Sequence, residues 1–113
     1  MLGKTVIMTG ATSGIGEVAA VRLAEQGARI VFTARDAARA SQTIAALRKA
    51  NAKANHAVHM ADLSRLSEMK RVGAELAREP EIDVLVNNAG ALFNRRQETE
   101  DGLEMTFALN HMA

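Results

Sequence analysis

Cysteine, tyrosine and tryptophan are all absent from the 113-residue sequence, and proline occurs once. Without cysteine there is no disulfide, no zinc–thiolate centre and no thiolate nucleophile. Without tyrosine, no phenol of this chain can act as a proton donor. Net charge is scarce as well: 14 Lys and Arg against 13 Asp and Glu leave +1. That balance gives no electrostatic case for nucleic acid or a membrane surface as partner. No apolar run approaches the roughly 20 residues of a membrane span. The first strand signal starts within a few residues of Met1, which leaves no room for a signal peptide, and a cytoplasmic location is expected. What is plentiful is apolar surface: 48% of the residues are hydrophobic, enough for the core of one domain or part of one.

The chain is organised around its opening stretch. Residues 4–9 form a short β-branched, apolar run, followed by Gly10-Ala11-Thr12-Ser13-Gly14-Ile15-Gly16 and then by Glu17-Val18-Ala19-Ala20-Val21-Arg22-Leu23. This reads as buried strand, tight glycine turn and helix, with Ile15, Val18, Ala19 and Leu23 on one helical face. A helix that starts directly after a strand directs its free N–H groups and positive dipole end beyond the strand, where a phosphate is favoured. Gly10, Gly14 and Gly16 leave room for a ligand to reach the backbone, and Thr12 and Ser13 add hydroxyl donors.

Further strands are expected at 28–33, 56–60 and 82–86, with helices at 37–50 and 65–79. Asp36 and Ser64 stand as N-caps, Gly27 as the end of the first helix and Pro80 as the stop of the third. A polar loop is expected at 92–98 and a helix at 101–112, burying Leu103, Phe107 and Leu109. Alternating apolar strands and helices predict an α/β fold: about four parallel strands between two helical layers. Ligands of such sheets sit at the carboxyl ends of the strands. The unusual residues gather there: the glycine turn, Arg35, Asp62 and Asn87-Asn88-Ala89-Gly90.

Arg35 follows the second strand, where many dinucleotide folds place an acid on the ribose 2′-hydroxyl. A guanidinium there suits a 2′-phosphate and favours NADP over NAD; the alternative is an ordinary surface arginine. Asp62 can accept the adenine amino group or serve as a turn residue before Ser64. The Asn87 and Asn88 amides can tie strand ends together and reach a ribose, while Ala89 and Gly90 keep the wall low enough for a nicotinamide. His56 and His59, three apart in a strand, face opposite sides, so no shared metal is expected. His111 has no identifiable partner, and the methionines read mostly as core.

The order Thr9-Gly10-Ala11-Thr12-Ser13-Gly14-Ile15-Gly16, Asp62-Leu63, Asn87-Asn88-Ala89-Gly90 and Asn110 closely resembles the short-chain dehydrogenase/reductase family over the whole chain. The segment from Asp101 to His111 resembles its retinol dehydrogenase and protochlorophyllide-reductase-like branch. The resemblance implies a Rossmann-type fold and hydride transfer between NADP(H) and a small carbonyl or alcohol, in a protein that is a homo-oligomer when complete. It implies that Gly10, Ser13, Gly14, Ile15 and Gly16 hold the pyrophosphate and nearby ribose and Arg35 the 2′-phosphate. Asp62 and Leu63 would border the adenine, and Asn88, Ala89 and Gly90 the nicotinamide ribose, with Asn87 bracing the sheet. Asn110 matches the family's catalytic asparagine, which supports a proton relay through water. The family's catalytic Ser and Tyr-x-x-x-Lys lie downstream of that asparagine, and this chain ends three residues after it. The expectation is therefore a cofactor-binding N-terminal part, residues 1–113, cut inside a helix and inactive alone. The rival expectations are a stand-alone nucleotide module, a subunit completed by a partner chain, and a folding remnant that binds nothing.

Overall fold

A computed structural model gives the fold over residues 1–90 and 96–113. Its elements run β1 (Thr5–Met8), α1 (Gly14–Glu25), β2 (Arg29–Ala34), α2 (Ala37–Ala50), β3 (Ala57–Met60), α3 (Leu66–Leu76), β4 (Val84–Val86) and α4 (Met105–Phe107), the last continuing into a π-helical turn, Ala108–Met112. The four strands form one parallel sheet in the order β3-β2-β1-β4. After β1 the chain builds outward through β2 and β3, then returns to place β4 on the other side of β1. The switch point therefore lies between the carboxyl ends of β1 and β4, the position where such sheets bind ligands.

Side chains alternate across the sheet. Val6 and Met8 of β1 join Ile30 and Phe32 of β2 in one cluster with Ala20 and Ala24 of α1 and Ala40 and Leu47 of α2. Ile7 and Val31, one residue out of phase, are buried on the opposite face, as is Val72 of α3. On β3, Val58 packs against the α1–α2 cluster, while His59 Nδ1 lies 3.0 Å from Glu75 Oε2 of α3. The expected three layers are present: α1 and α2, the sheet, and α3. His56 and His59 do go to different places. Buried His56 accepts the Ile30 N–H at Nδ1 and lies 3.0 Å from the Asn51 carbonyl through Nε2, so the proton sits on Nε2.

Several expectations are corrected. Ile15 and Val18 do not face the core; they are 84% and 61% exposed. The buried stripe of α1 is Gly16, Ala20 and Ala24, because small residues let the helix lie close to the sheet and turn the larger ones outward. Ser64 does not cap α3: Arg65 holds the N-cap position, without a side-chain cap, and the Ser64 hydroxyl donates to Asp62. The helix expected at 101–112 starts only at Met105, since Gly102 has φ +75 inside a turn closed by Gly102 N–H to the Thr99 carbonyl. Phe107 is 46% exposed, and Ala108 is buried. His111 has a partner after all, stacking on Phe107 with ring centroids 5.2 Å apart. Among the methionines Met8 is core, whereas Met1 and Met60 are exposed. Residues 91–95 of the expected polar loop lie outside the described residues.

Among the described residues β4 pairs with β1 alone and leaves Leu85 59% exposed, with Ile82 and Val84 also open to solvent. An unpaired apolar edge recruits other chains. The chain is expected to self-associate, and Leu85→Lys to shift it toward monomer in light scattering. A monodisperse monomer at about 100 μM or above, well into the concentration range where exposed edges aggregate, would count against this.

Candidate functional site

β1 delivers Thr9 and Gly10 to the carboxyl edge of the sheet, and neighbouring β4 delivers Asn87 to Gly90 beside them. The two strand ends are fastened by the Thr9 N–H to the Val86 carbonyl at 3.1 Å and by three bonds that involve side chains. Thr9 Oγ1 accepts from the backbone N–H of Asn88 at 3.1 Å and of Ala89 at 2.9 Å. Asn88 Nδ2 donates to the Gly10 carbonyl at 3.1 Å. The brace expected of Asn87 is thus made by Thr9 and Asn88, and among the described residues the Asn87 side chain makes no such bond.

The glycine turn carries α1 close to this brace. Gly10 has φ +71, and a Cβ on it would stand 2.7 Å from Ala89 Cα. A Cβ on Gly16 would run into the Gly10 carbonyl oxygen and Asn88 Nδ2. Ser13, the N-cap, is extended with φ −159, and its side chain makes no capping bond, so the first-turn N–H groups of α1 are left to whatever enters the cleft.

Two adjoining cavities open here, of about 280 and 370 Å³. Thr12, Arg35, Asp62 and Leu63 wall the first. Ser13, Gly14, Ile15, Gly16 and Asn88 wall the second. Gly10, Ala89, Gly90 and Leu109 border both. Every residue expected to touch a cofactor therefore lines one or both of these adjoining cavities, together called the cleft. Asn110 stands at the shared wall: its Oδ1 is 3.5 Å from where a Cβ on Gly90 would be. Thr9, Leu109, Thr33, Ala34 and Ala61 were not foreseen as site residues. For Thr9 a signal existed: a hydroxyl one residue past the strand end, beside a neighbouring Asn-Asn pair.

Asp62 makes the turn that its position suggests. Its Oδ1 accepts the Ser64 N–H at 3.0 Å and the Ser64 hydroxyl at 2.7 Å. Partial burial alone would raise its pKa, but the Ser64 bonds and the charges of Arg35 and Arg65 outweigh it and hold the carboxyl below its ordinary range. A carboxylate so shifted stabilises the fold fully above its unfolded pKa of about 3.9, and loses that contribution as pH falls through the lower folded value. Asp62→Asn should therefore be less stable than the parent at pH 7, by about 1 kcal/mol or less given solvent screening. The gap should close below pH ~4. Urea titrations at pH 7, 5 and 2.5 check this, and a gap that persists at the lowest pH contradicts it.

The short chain dehydrogenase family model matches residues 4–113. The chain belongs to the short-chain dehydrogenase/reductase family. Retinol dehydrogenase 14 of Mus musculus is 40% identical over 123 aligned residues, covering 99% of this chain and 37% of that protein. A short-chain dehydrogenase from Sphingobium yanoikuyae, solved in complex with NADPH, superposes with a TM-score of 0.81 at 36% identity, covering 96% of this chain and 43% of that one. A bulky-bulky ketone specific alcohol dehydrogenase from Comamonas testosteroni gives the same TM-score at 32% identity, over 96% of this chain and 44% of that one. The chain spans between a third and two fifths of the length of the curated relatives it matches. The family consists of NAD(P)-binding oxidoreductases acting on small carbonyls and alcohols.

Proposed function

We propose that residues 1–113 are the NADP-binding part of a short-chain reductase that transfers hydride between NADPH and a small carbonyl compound. The observation that carries this reading is the pair of adjoining cavities, with Arg35 and Asp62 in one, the uncapped start of α1 and Asn88 in the other, and Gly10, Ala89, Gly90 and Leu109 shared. The residues present fit a dinucleotide. The glycine cradle would close if Gly16 carried a side chain, and the free N–H groups at the start of α1 suit a diphosphate. When bound, the cofactor supplies the hydride chemistry. The chain's own residues would do the rest of the holding. Gly10, Thr12, Ser13, Gly14, Ile15 and Gly16 receive the diphosphate and its ribose, and Arg35 the 2′-phosphate. Leu63 and Asp62 border the adenine, while Asn88, Ala89 and Gly90 border the far ribose. Asn110, beside Gly90, can position a water for proton relay. The chain holds no tyrosine, so the phenolic proton donor that the family resemblance implies is not among these residues.

The test is a titration of the chain with NADPH and NADH, followed by incubation with aldehydes and ketones. Saturable NADPH binding, tighter than NADH and without cofactor oxidation, is expected. Oxidation of NADPH by these 113 residues alone would overturn the division of labour, and absence of binding would overturn the cleft reading. The relatives named for retinol and for bulky ketones make hydrophobic carbonyls the first to try with the whole protein.

A further inference from the structure

The turn that precedes α4 is docked on a distant part of the fold. Its interior is closed by Thr99 N–H to the Leu103 carbonyl at 2.7 Å and Met105 N–H to the Gln97 carbonyl at 2.7 Å. Glu98 and Glu104 form an isolated antiparallel bridge, which ties the turn to the residue just before α4. From its tip, Asp101 Oδ2 accepts the backbone N–H of Leu66 at 2.7 Å, and Glu100 Oε1 accepts from Arg65 Nε at 2.7 Å. Leu66 is the first residue of α3, whose own N-cap position, Arg65, offers no side-chain cap. The cap of α3 is thus supplied 35 residues later.

The two elements so joined lead to residues that line the cleft. α3 follows directly from Asp62 and Leu63, which wall one cavity, and α4 leads into Leu109, which borders both, and Asn110 beside Gly90. We infer that Asp101 is a positioning residue, whose carboxylate staples the α3 wall to the Leu109–Asn110 wall and sets the width of the cleft between them. The inference rests on the proposed reading of that cleft as a dinucleotide site. A ligand that sits on the Arg35–Asp62 turn and stops short of Leu109 is indifferent to the staple, because the Asp62–Ser64 bonds hold that turn locally. A ligand that spans both walls is not.

The experiment compares NADPH with adenosine 2′,5′-bisphosphate, its adenine half, on the parent chain, Asp101→Ala, Asp101→Asn and Leu66→Pro. Leu66→Pro removes the donor instead of the acceptor. Proline is tolerated at the first position of a helix, and Arg65, at φ −113 and ψ 127, already has the backbone that a residue before proline prefers. Asp101→Ala should weaken NADPH about fivefold, the usual cost of a lost cap, and leave the bisphosphate within about twofold. Asp101→Asn keeps an acceptor oxygen and should recover most of the loss, while Leu66→Pro should reproduce it. Without any ligand, amides of residues 103–110 should exchange faster in Asp101→Ala. Equal weakening of both ligands means general destabilisation and overturns the inference, as does unchanged NADPH affinity with unchanged exchange. A parent chain that binds neither ligand overturns the dinucleotide reading instead, and the exchange data then decide whether the staple exists.

Discussion

Gly16→Ala should abolish NADPH binding and lower the melting temperature by about 10 °C. Elsewhere in a helix the same change is favourable by about 1 kcal/mol, because alanine loses less backbone entropy than glycine. Here the added methyl meets the Gly10 carbonyl oxygen, which is backbone and cannot swing aside, and Asn88 Nδ2. Overpacking of this kind costs about 1–3 kcal/mol, and displacing Asn88 from Gly10 forfeits about 1 kcal/mol more. The net is about 2 kcal/mol, and each kcal/mol moves the midpoint of a domain this size by about 4–8 °C. Binding suffers more than stability, since relief of the clash pushes the start of α1 away from the brace between Thr9, Asn88 and Ala89. Gly73→Ala is the control. Nothing lies within 4 Å of a Cβ at that position in α3, so the same substitution should be neutral or slightly stabilising. Thermal melts of both variants, with and without NADPH, decide the matter. Equal behaviour of the two would show that the close approach at Gly16 does not matter.

The contrast between these glycines shows what a one-dimensional reading can and cannot reach. Strand-and-helix alternation is written in local periodicity, and α2 runs from Ala37 to Ala50 as expected, with Asp36 capping it through the N–H groups of Ala38 and Arg39. The cleft was legible for a topological reason. Loops at the carboxyl ends of parallel strands converge, so unusual residues after successive strands meet there whatever the details. Details that depend on distant partners were not legible. Ser64 is a better N-cap by type than any neighbour, yet the acceptor for α3 is Asp101, from a separate turn. Asn87 and Asn88 are the same residue type in adjacent positions, and only the register of β4 against β1 decides which amide reaches Gly10. Ile15 and Val18 look like core by hydropathy, but the spacing of Gly16, Ala20 and Ala24 sets the buried stripe.

Arg35→Ala should weaken NADPH by roughly 10- to 100-fold and leave NADH within about twofold, and Arg35→Asp should reverse the preference. The argument starts from what occupies the neighbouring charges. Asp36, next in sequence, is engaged at the start of α2, where its Oδ1 takes two backbone N–H groups, so it is poorly placed to hold a ribose 2′-hydroxyl. Arg35 is exposed at the rim of the cavity, and among the described residues it makes no hydrogen bond or ion pair. Its charge is felt by Asp62, whose carboxyl it helps to hold ionised. A guanidinium with unused donors beside the proposed nucleotide cleft matches a phosphate in a bidentate pair, and such charge-assisted bonds contribute about 1.5–3 kcal/mol. NADH lacks the phosphate and loses nothing when the cation is removed. An aspartate at the same place would repel the phosphate and accept from the free 2′-hydroxyl, which is why the preference should invert rather than merely vanish. Because the pair is exposed, raising salt from about 50 to 500 mM should narrow the NADPH advantage in the parent chain and change nothing in Arg35→Ala. Paired titrations at the two salt concentrations test both claims together. Parallel losses for NADPH and NADH in Arg35→Ala would mean that the arginine supports the cleft generally and reads no phosphate.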